Sequence, residues 1–384
     1  MINIVYLIGN LGAGGAEKLV CDLAIGLEKS KFKVSIIAIG HYKDEQFERN
    51  RIDLLRQNGV DVKIVSKKPH GNRLSTIRKL RGVFKADRPD IIHSHLFTGI
   101  FYGAVASIGI KTHMVITYHS TSGFGVKDKV ISRIFSRKYD RIIAVSESVK
   151  IFVHNFFKIP DQKIVTIYNG TDTKRFFDSK IEYEETSNDR TDITFGCVGR
   201  ISEAKGYKYL VEALAKLEKK ILQNITVKIA GDGPLREEME EMVKKNNLED
   251  HVEFVGNLTD IPKFLCNVDV YIMPSLWEGF GISLIEAMAA GKPLIVSDIP
   301  VFKEILGVEK LNMLTGFSDT IFGTIFEVGN SQALANAIER MIENREKWPK
   351  FGKNSYERAK SFDISKTVEQ HEKLYMNIVQ KDKK

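Results

Sequence analysis

Apolar residues in this chain fall into short runs of about four to seven, alternating with longer segments in which they return every three or four positions. The runs 2–8, 33–39, 61–65, 91–94, 112–118 and 141–145 predict strands, and the segments 16–28, 44–58, 74–86, 99–108 and 127–138 predict helices. Strand and helix in strict alternation imply a parallel, doubly wound α/β sheet, which binds ligands at the carboxyl ends of its strands. The pattern stops at 179–192, a polar stretch without apolar periodicity that reads as a linker. A second alternation follows, with strands at 193–198, 226–230, 252–255, 270–273 and 294–297. Helices are predicted at 207–219, 234–246, 260–266, 282–290, 331–343 and 365–379. At 384 residues the chain is about twice the usual domain length. Two domains are therefore expected, 1–178 and 193–360, with 361–384 as a final helical segment.

Composition adds little until charge is divided along the chain. Residues 1–180 hold 30 Lys/Arg against 16 Asp/Glu, a balance of +14, while the rest holds 27 against 33, a balance of −6. A basic half suits nucleic acid or anionic lipid, but zinc-finger spacing, the ribonucleoprotein aromatic motif and a recognition helix are all missing. An anionic membrane surface is the expected partner, and nucleic acid is not. Two segments concentrate the charge. Lys67, Lys68, Arg73, Arg78, Lys79, Arg81, Lys85 and Arg88 surround Leu74, Ile77, Leu80 and Phe84; Lys127, Lys129, Arg133, Arg137 and Lys138 surround Val130, Ile131, Ile134 and Phe135. Both apolar stripes are expected to face the core, with the cations in solvent. Cys21, Cys197 and Cys266 lie in or beside apolar runs without metal-ligand spacing and read as buried, reduced thiols. The first residues lack a basic region and a small-residue cleavage site, and no run is long enough to cross a bilayer, so a cytoplasmic location is expected.

The densest chemistry lies in the run from Glu278 through Gly279, Phe280, Gly281 and Glu286 to Gly291, Lys292 and Pro293. It places one carboxylate before a helix and one a turn inside it, with two glycines at the helix start. Unpaired amides and the positive dipole end gather there, and glycine lets an anion approach the backbone. Arg200 and Lys205 follow the strand at 193–198 and suit a diphosphate that departs carrying charge. The loop Gly12-Ala13-Gly14-Gly15-Ala16-Glu17 joins the first strand to the first helix. Its glycine spacing is not that of a dinucleotide fingerprint, and a tight turn alone would also require glycine. His95 and His119 stand at strand ends, where a histidine can orient a sugar hydroxyl or a reacting group, although a lone histidine is commonly structural. His93 is expected to face the opposite side of its strand.

The run from Glu278 to Pro293 resembles the donor-binding signature of retaining glycosyltransferases of family 4, which have the GT-B fold of two facing Rossmann-like, doubly wound parallel-sheet domains. Arg200 and Lys205 resemble that family's paired diphosphate-binding residues, Gly12 to Glu17 its Gly-Gly-Ala-Glu loop, and His119 its active-site histidine. Matches continue through Tyr168-Asn169-Gly170-Thr171-Asp172, Ala230-Gly231-Asp232-Gly233-Pro234-Leu235 and Phe254-Val255-Gly256-Asn257. The connection at 307–322 is longer than is usual in the family, which leaves its role and the contacts of Glu304 open.

The resemblance implies an enzyme that moves a hexose from a nucleotide diphosphate sugar, a UDP-sugar above all, to the hydroxyl of a sugar or lipid-linked acceptor, with retention at the anomeric carbon. In that reading the 193–360 domain holds the donor and the 1–178 domain the acceptor, while 361–384 crosses back onto the first domain. Glu278 meets the sugar, Glu286 the ribose, and Arg200, Lys205 and the amides of Gly279, Phe280 and Gly281 meet the diphosphate. The loop of Gly14 and Gly15, with His119, closes on them from the other domain, and His95 is a further contact. The departing phosphate takes the acceptor's proton in a front-side attack. No Asp-x-Asp pair sits at a strand end in a metal-binding context, so neither a metal nor another cofactor is expected. The implied setting is the inner face of a membrane, in cell-surface polysaccharide or glycolipid synthesis. Two other readings stand beside this one: a nucleotide-sugar epimerase on the same fold, and a catalytically silent sugar-nucleotide-binding partner protein.

Overall fold

The computed structural model describes residues 1–41, 45–65, 72–184, 192–309 and 311–380. The chain divides into two units, Met1–Gly170 with Ile364–Lys384, and Thr171–Asp363.

In the first unit the alternation becomes β1 (Ile2–Ile8), α1 (Gly15–Gly26), β2 (Phe32–Ala38), α2 (Glu45–Gln57), β3 (Asp61–Ile64), α3 (Arg73–Asp87), β4 (Ile91–His95) and α4 (Leu96–Ala106). It continues with β5 (His113–Tyr118), α5 (Val126–Phe135), β6 (Arg141–Ala144), α6 (Glu147–Phe157) and β7 (Ile164–Thr166). The strands form one fully parallel sheet in the order β3-β2-β1-β4-β5-β6-β7. Ile4, Tyr6, Ile8, Leu19, Leu23, Ile36 and Val115 make its core. Each such aliphatic side chain contributes roughly 1.5–3 kcal/mol by leaving water.

The second unit runs α7 (Thr173–Glu184), β8 (Ile193–Val198), α8 (Tyr207–Leu214), α9 (Lys219–Leu222), β9 (Ile225–Ala230), α10 (Arg236–Lys245), β10 (Val252–Gly256) and α11 (Ile261–Cys266). Then come β11 (Val270–Met273), α12 (Ile282–Ala289), β12 (Leu294–Ser297), α13 (Pro300–Leu306), β13 (Phe317–Thr320), β14 (Gly323–Phe326), α14 (Ser331–Glu343) and α15 (Trp348–Ala359). Its sheet has the order β10-β9-β8-β11-β12-β14-β13, parallel except for β13, which pairs antiparallel with β14. The long connection at 307–322 thus supplies an edge strand, and the β13–β14 hairpin closes that side of the sheet. The last helix, α16 (Ile364–Gln380), belongs to the first unit and buries Val368, Tyr375 and Ile378 in its core.

The structure differs from the sequence reading in several places. The units part after Gly170, and residues 179–184 of the expected linker are helical, as the end of α7. Residues 185–191 lie outside the described residues. The stripe of α3 is buried at Leu80 and Phe84 but exposed at Leu74, and Val130 and Ile134 of α5 are 52% and 61% exposed, facing away from the core. Two expected solvent cations have structural roles. Arg81 donates to the carbonyls of Ala106 and Ile108, and Lys138 donates to the Ala104 carbonyl and Ser107 Oγ, each at 2.8 Å. Partial burial, helped by Arg81, holds the Lys138 ammonium below the usual lysine range. Lys67 and Lys68 lie outside the described residues. Cys21 and Cys197 are buried free thiols, whereas Cys266 is only half-buried.

Candidate functional site

In a doubly wound sheet the crevice opens where strand order reverses, beyond the carboxyl ends of the two strands that flank the reversal. In the second unit those strands are β8 and β11. Arg200 and Lys205 leave β8; Glu278 leaves β11. Lys205 Nζ lies 2.7 Å from Glu278 Oε1, with each side chain only 16% exposed. Ser275 Oγ donates to the same carboxylate oxygen at 3.0 Å, and Ser297 Oγ donates to the Ser275 carbonyl at 2.5 Å. Arg200, at the same exit of β8, is exposed.

Glycines set this geometry. Gly206, which follows Lys205, has φ 64°, and a Cβ there would lie 2.1 Å from the Pro274 carbonyl oxygen. The absence of that atom lets the exit of β8 press against the exit of β11, where the Leu276 amide donates to the Ala204 carbonyl at 2.8 Å. Gly231 and Gly233 do the same for the next loop, since Cβ atoms there would meet the carbonyls of Gly199 and Ile201 at 2.0 and 2.2 Å. The segment Ala230 to Leu235 therefore braces Arg200.

Gly281, at φ 99°, is the N-cap of α12 and has no side-chain cap, so the first turn of the helix presents amides on the β11 side of the crevice. Gly279 and Phe280 are buried in that loop. Glu286, a turn inside the helix, is only 5% exposed. Leu284, Ile285, Ala287 and Met288 are buried around it, because α12 packs on α7 and α15 as well as on the sheet.

In the first unit the order reverses between β1 and β4. The β1 exit carries Gly14 and Gly15, both exposed, with Gly14 as the N-cap of α1. Glu17 folds back over Gly14, where a Cβ would lie 2.1 Å from its Oε2. His95 ends β4 and His119 follows β5, and their ring nitrogens Nδ1 and Nε2 lie 3.0 Å apart. His95 is fully buried, and its Nε2 has no hydrogen-bond partner among the described residues. The next residue, Leu96, has φ 60°, a strained backbone for a non-glycine at the mouth of the site.

His93 does not face the opposite side of the strand. Residues two apart on a strand share a face, and the His93 and His95 rings lie 4.2 Å apart. His93 Nδ1 bonds Tyr375 Oη at 2.6 Å, and its Nε2 bonds Thr117 Oγ1 at 2.7 Å. Tyr375 Oη in turn lies 3.0 Å from Tyr6 Oη. His371 of α16 stacks on His93 with ring centroids 5.9 Å apart and bonds the Thr367 carbonyl through Nδ1 at 2.7 Å. Burial holds all four imidazoles neutral. His119 is lowered to about 3 and His371 to about 4, and His93 and His95 lie well below the ordinary value.

A family model described as "Glycosyl transferases group 1" matches residues 178–358, and one described as "Glycosyltransferase Family 4" matches residues 13–175. An uncharacterized glycosyltransferase of Methanocaldococcus jannaschii is 31% identical over 76% of this chain and 79% of its own length. The chain belongs to the group 1 glycosyltransferases. A second relative of this glycosyltransferase, from Campylobacter jejuni, is 26% identical over 98% of this chain and 99% of its own. It is named as an α-1,4-N-acetyl-D-galactosaminyltransferase that acts on a diphospho-undecaprenol-linked saccharide. Among solved structures, Anabaena HepE in complex with UDP-glucose aligns at TM-score 0.81 and 23% identity, over 98% of this chain and 100% of that one. That likeness and the two Rossmann-like units place the glycosyltransferase in the GT-B fold.

Sequence reasoning found the residues at the strand exits and missed what supports them. Ser275 lies in the loop ahead of Glu278 and could have been suspected from that alone. His371 and Tyr375 are four apart on an ordinary amphipathic helix, and nothing in the sequence links them to β4. An open pocket of about 460 Å³ lined by Asp298, Lys303, Glu309, Leu311 and Met313 also went unforeseen, just past the end of β12. Among the described residues no group of three His, Cys, Asp or Glu is arranged to hold a metal ion.

Proposed function

We propose that this glycosyltransferase moves a hexose from a UDP-sugar to the hydroxyl of a sugar or lipid-linked acceptor, with retention of configuration, in the synthesis of a cell-surface polysaccharide or glycolipid. The observation that carries the reading is the Lys205–Glu278 pair at the exits of β8 and β11, next to the uncapped start of α12. During transfer the bond from the anomeric carbon to the diphosphate oxygen breaks and a bond to the acceptor oxygen forms on the same face. The acceptor's proton passes to the departing diphosphate, on which negative charge accumulates. Lys205, Arg200 and the amides at Gly279, Phe280 and Gly281 stabilise that charge, and a fixed array of donors is worth most where charge develops. With these donors placed to meet the developing charge, the reaction is expected to run without a divalent cation. Glu278 accepts hydrogen bonds from the sugar, and Glu286 from the ribose. His119, His95 and the loop of Gly14 and Gly15 serve the acceptor side.

Two similar proteins support the choice of donor and acceptor: HepE is seen with UDP-glucose, and the C. jejuni relative is named for its action on a lipid-linked saccharide. A thermal-shift screen against UDP-, GDP- and ADP-sugars tests the reading. A ligand that binds only the folded state raises its melting temperature, by an amount that grows with concentration. UDP-sugars are expected to do so, and a screen in which no nucleotide sugar shifts the melt overturns the proposal. Product analysis with donor alone then separates transfer from epimerisation, which needs no acceptor.

A further inference from the structure

The outward face of α5 is unlike a surface helix built only for solubility. Val126, Val130 and Ile134 are 80%, 52% and 61% exposed and stand four residues apart, so they form one stripe. Lys127 and Arg133 are exposed on the same face and Arg137 is exposed just past the helix's end, and none has an ion-pair partner among the described residues. The helix's one acid, Asp128, is turned to its cap, where it accepts from the Gly125 amide at 2.7 Å. The inner side is occupied: Ser132 is buried, Phe135 meets the Phe101 ring edge-on, and Lys129 lies 5.2 Å above the Phe156 ring. On α6, which packs beside α5, Ile151 is a further exposed aliphatic, at 59%.

We infer that this face docks the protein on an anionic lipid bilayer. Aliphatic side chains interleaved with cations, and no acid among them, match an interface whose depth is apolar and whose surface is negative. A second copy of the chain is a poor occupant, because an isologous pairing would press this acid-free cationic patch against its own copy. The placement has chemical sense. α5 begins seven residues after His119, so its first turn lies at the same end of the sheet as the His95–His119 pair. A bilayer held there presents headgroup-level hydroxyls to that end.

Cosedimentation of the full chain with vesicles tests the inference. Phosphatidylcholine vesicles containing phosphatidylglycerol are expected to bind the protein and pure phosphatidylcholine vesicles are not, with binding falling as salt is raised. Each lost cation is expected to weaken binding about fivefold, so Arg133→Glu/Arg137→Glu weakens it at least about 25-fold. Val130→Ser/Ile134→Ser is expected to weaken it at least about tenfold. All four positions are exposed, so the variants should melt like the parent and keep turnover with a water-soluble acceptor. Equal binding to both vesicle types, no binding to either, or undiminished binding by both variants overturns the proposal. So does light scattering that shows a dimer in the absence of lipid which these variants dissociate, because that outcome makes the face a protein interface.

Discussion

Lys205 Nζ sits 2.7 Å from Glu278 Oε1, so the cation suited to a diphosphate and the carboxylate suited to a sugar neutralise each other across the two strand exits. Removing either partner leaves the other charge uncompensated in a largely enclosed position. Lys205→Ala and Glu278→Gln are each expected to lower kcat/KM at least about tenfold, a loss of roughly 1.4 kcal/mol of transition-state stabilisation. The two losses should not add in the double variant, because the groups act through one contact. Strict additivity across the double-mutant cycle would count against the shared role.

Glu286 is buried, so truncating it would open a void as well as remove a carboxylate. The shape-preserving Glu286→Gln change separates the two effects. It is expected to lower donor affinity and turnover at least about tenfold, with a melting temperature within a few degrees of the parent. Full activity in a folded Glu286→Gln protein removes the ribose assignment.

Since the positive charge at the strand exits comes from Lys205, Arg200 and backbone amides, turnover is expected to continue in excess chelator. The new glycosidic bond should keep the donor's anomeric configuration. One NMR coupling constant on the product decides the stereochemistry, and inversion would contradict the proposed mechanism.

The four neutral imidazoles give stability a pH dependence with a definite sign. In the unfolded chain histidine takes up a proton near pH 6.5, whereas folded His119 and His371 do so only near 3 and 4. Between those limits the unfolded state binds more protons. The contribution is complete above about pH 6.5 and is lost as pH falls toward 4, by up to about 1.4 kcal/mol per pH unit for each histidine. Denaturant melts at pH 7, 6 and 5 should show falling stability, and His371→Gln should flatten the slope. A pH-independent melt over this range would show that the cluster does not titrate as described.

Tyr375→Phe removes one hydroxyl and leaves His93 Nδ1 and Tyr6 Oη facing each other without their bridge. A buried polar group left unpaired costs about 1–3 kcal/mol, and equilibrium unfolding should show a loss of that size. Replacing Lys373, an exposed residue on the same helix, should cost far less.

Strand and helix were legible wherever the apolar period was clean. β8 and α14 form with the bounds their patterns predicted, and Glu278 and Glu286 take up their loop and helix positions. What escaped the sequence depended on contacts between distant segments. α7 was hidden because its final residues are polar and nothing local requires them to be helical. The outward turn of Val130 and Ile134 follows from which side of α5 meets α4 and α6, a choice that apolar spacing alone leaves open. His93 was placed on the wrong face although period-two geometry joins it to His95, and its partners Thr117 and Tyr375 lie 24 and 282 residues away.

Because α16 follows the second unit along the chain yet packs in the first, the order of synthesis runs against the order of assembly. When residues 1–170 leave the ribosome, the slot for Val368, Tyr375 and Ile378 is still vacant, and the polar atoms of Tyr6 and His93 meet water there instead of a phenol. The second unit is then translated and can close its own sheet first. The first unit reaches its native core only when α16 arrives, which leaves the nascent chain an exposed apolar groove for the whole of that interval.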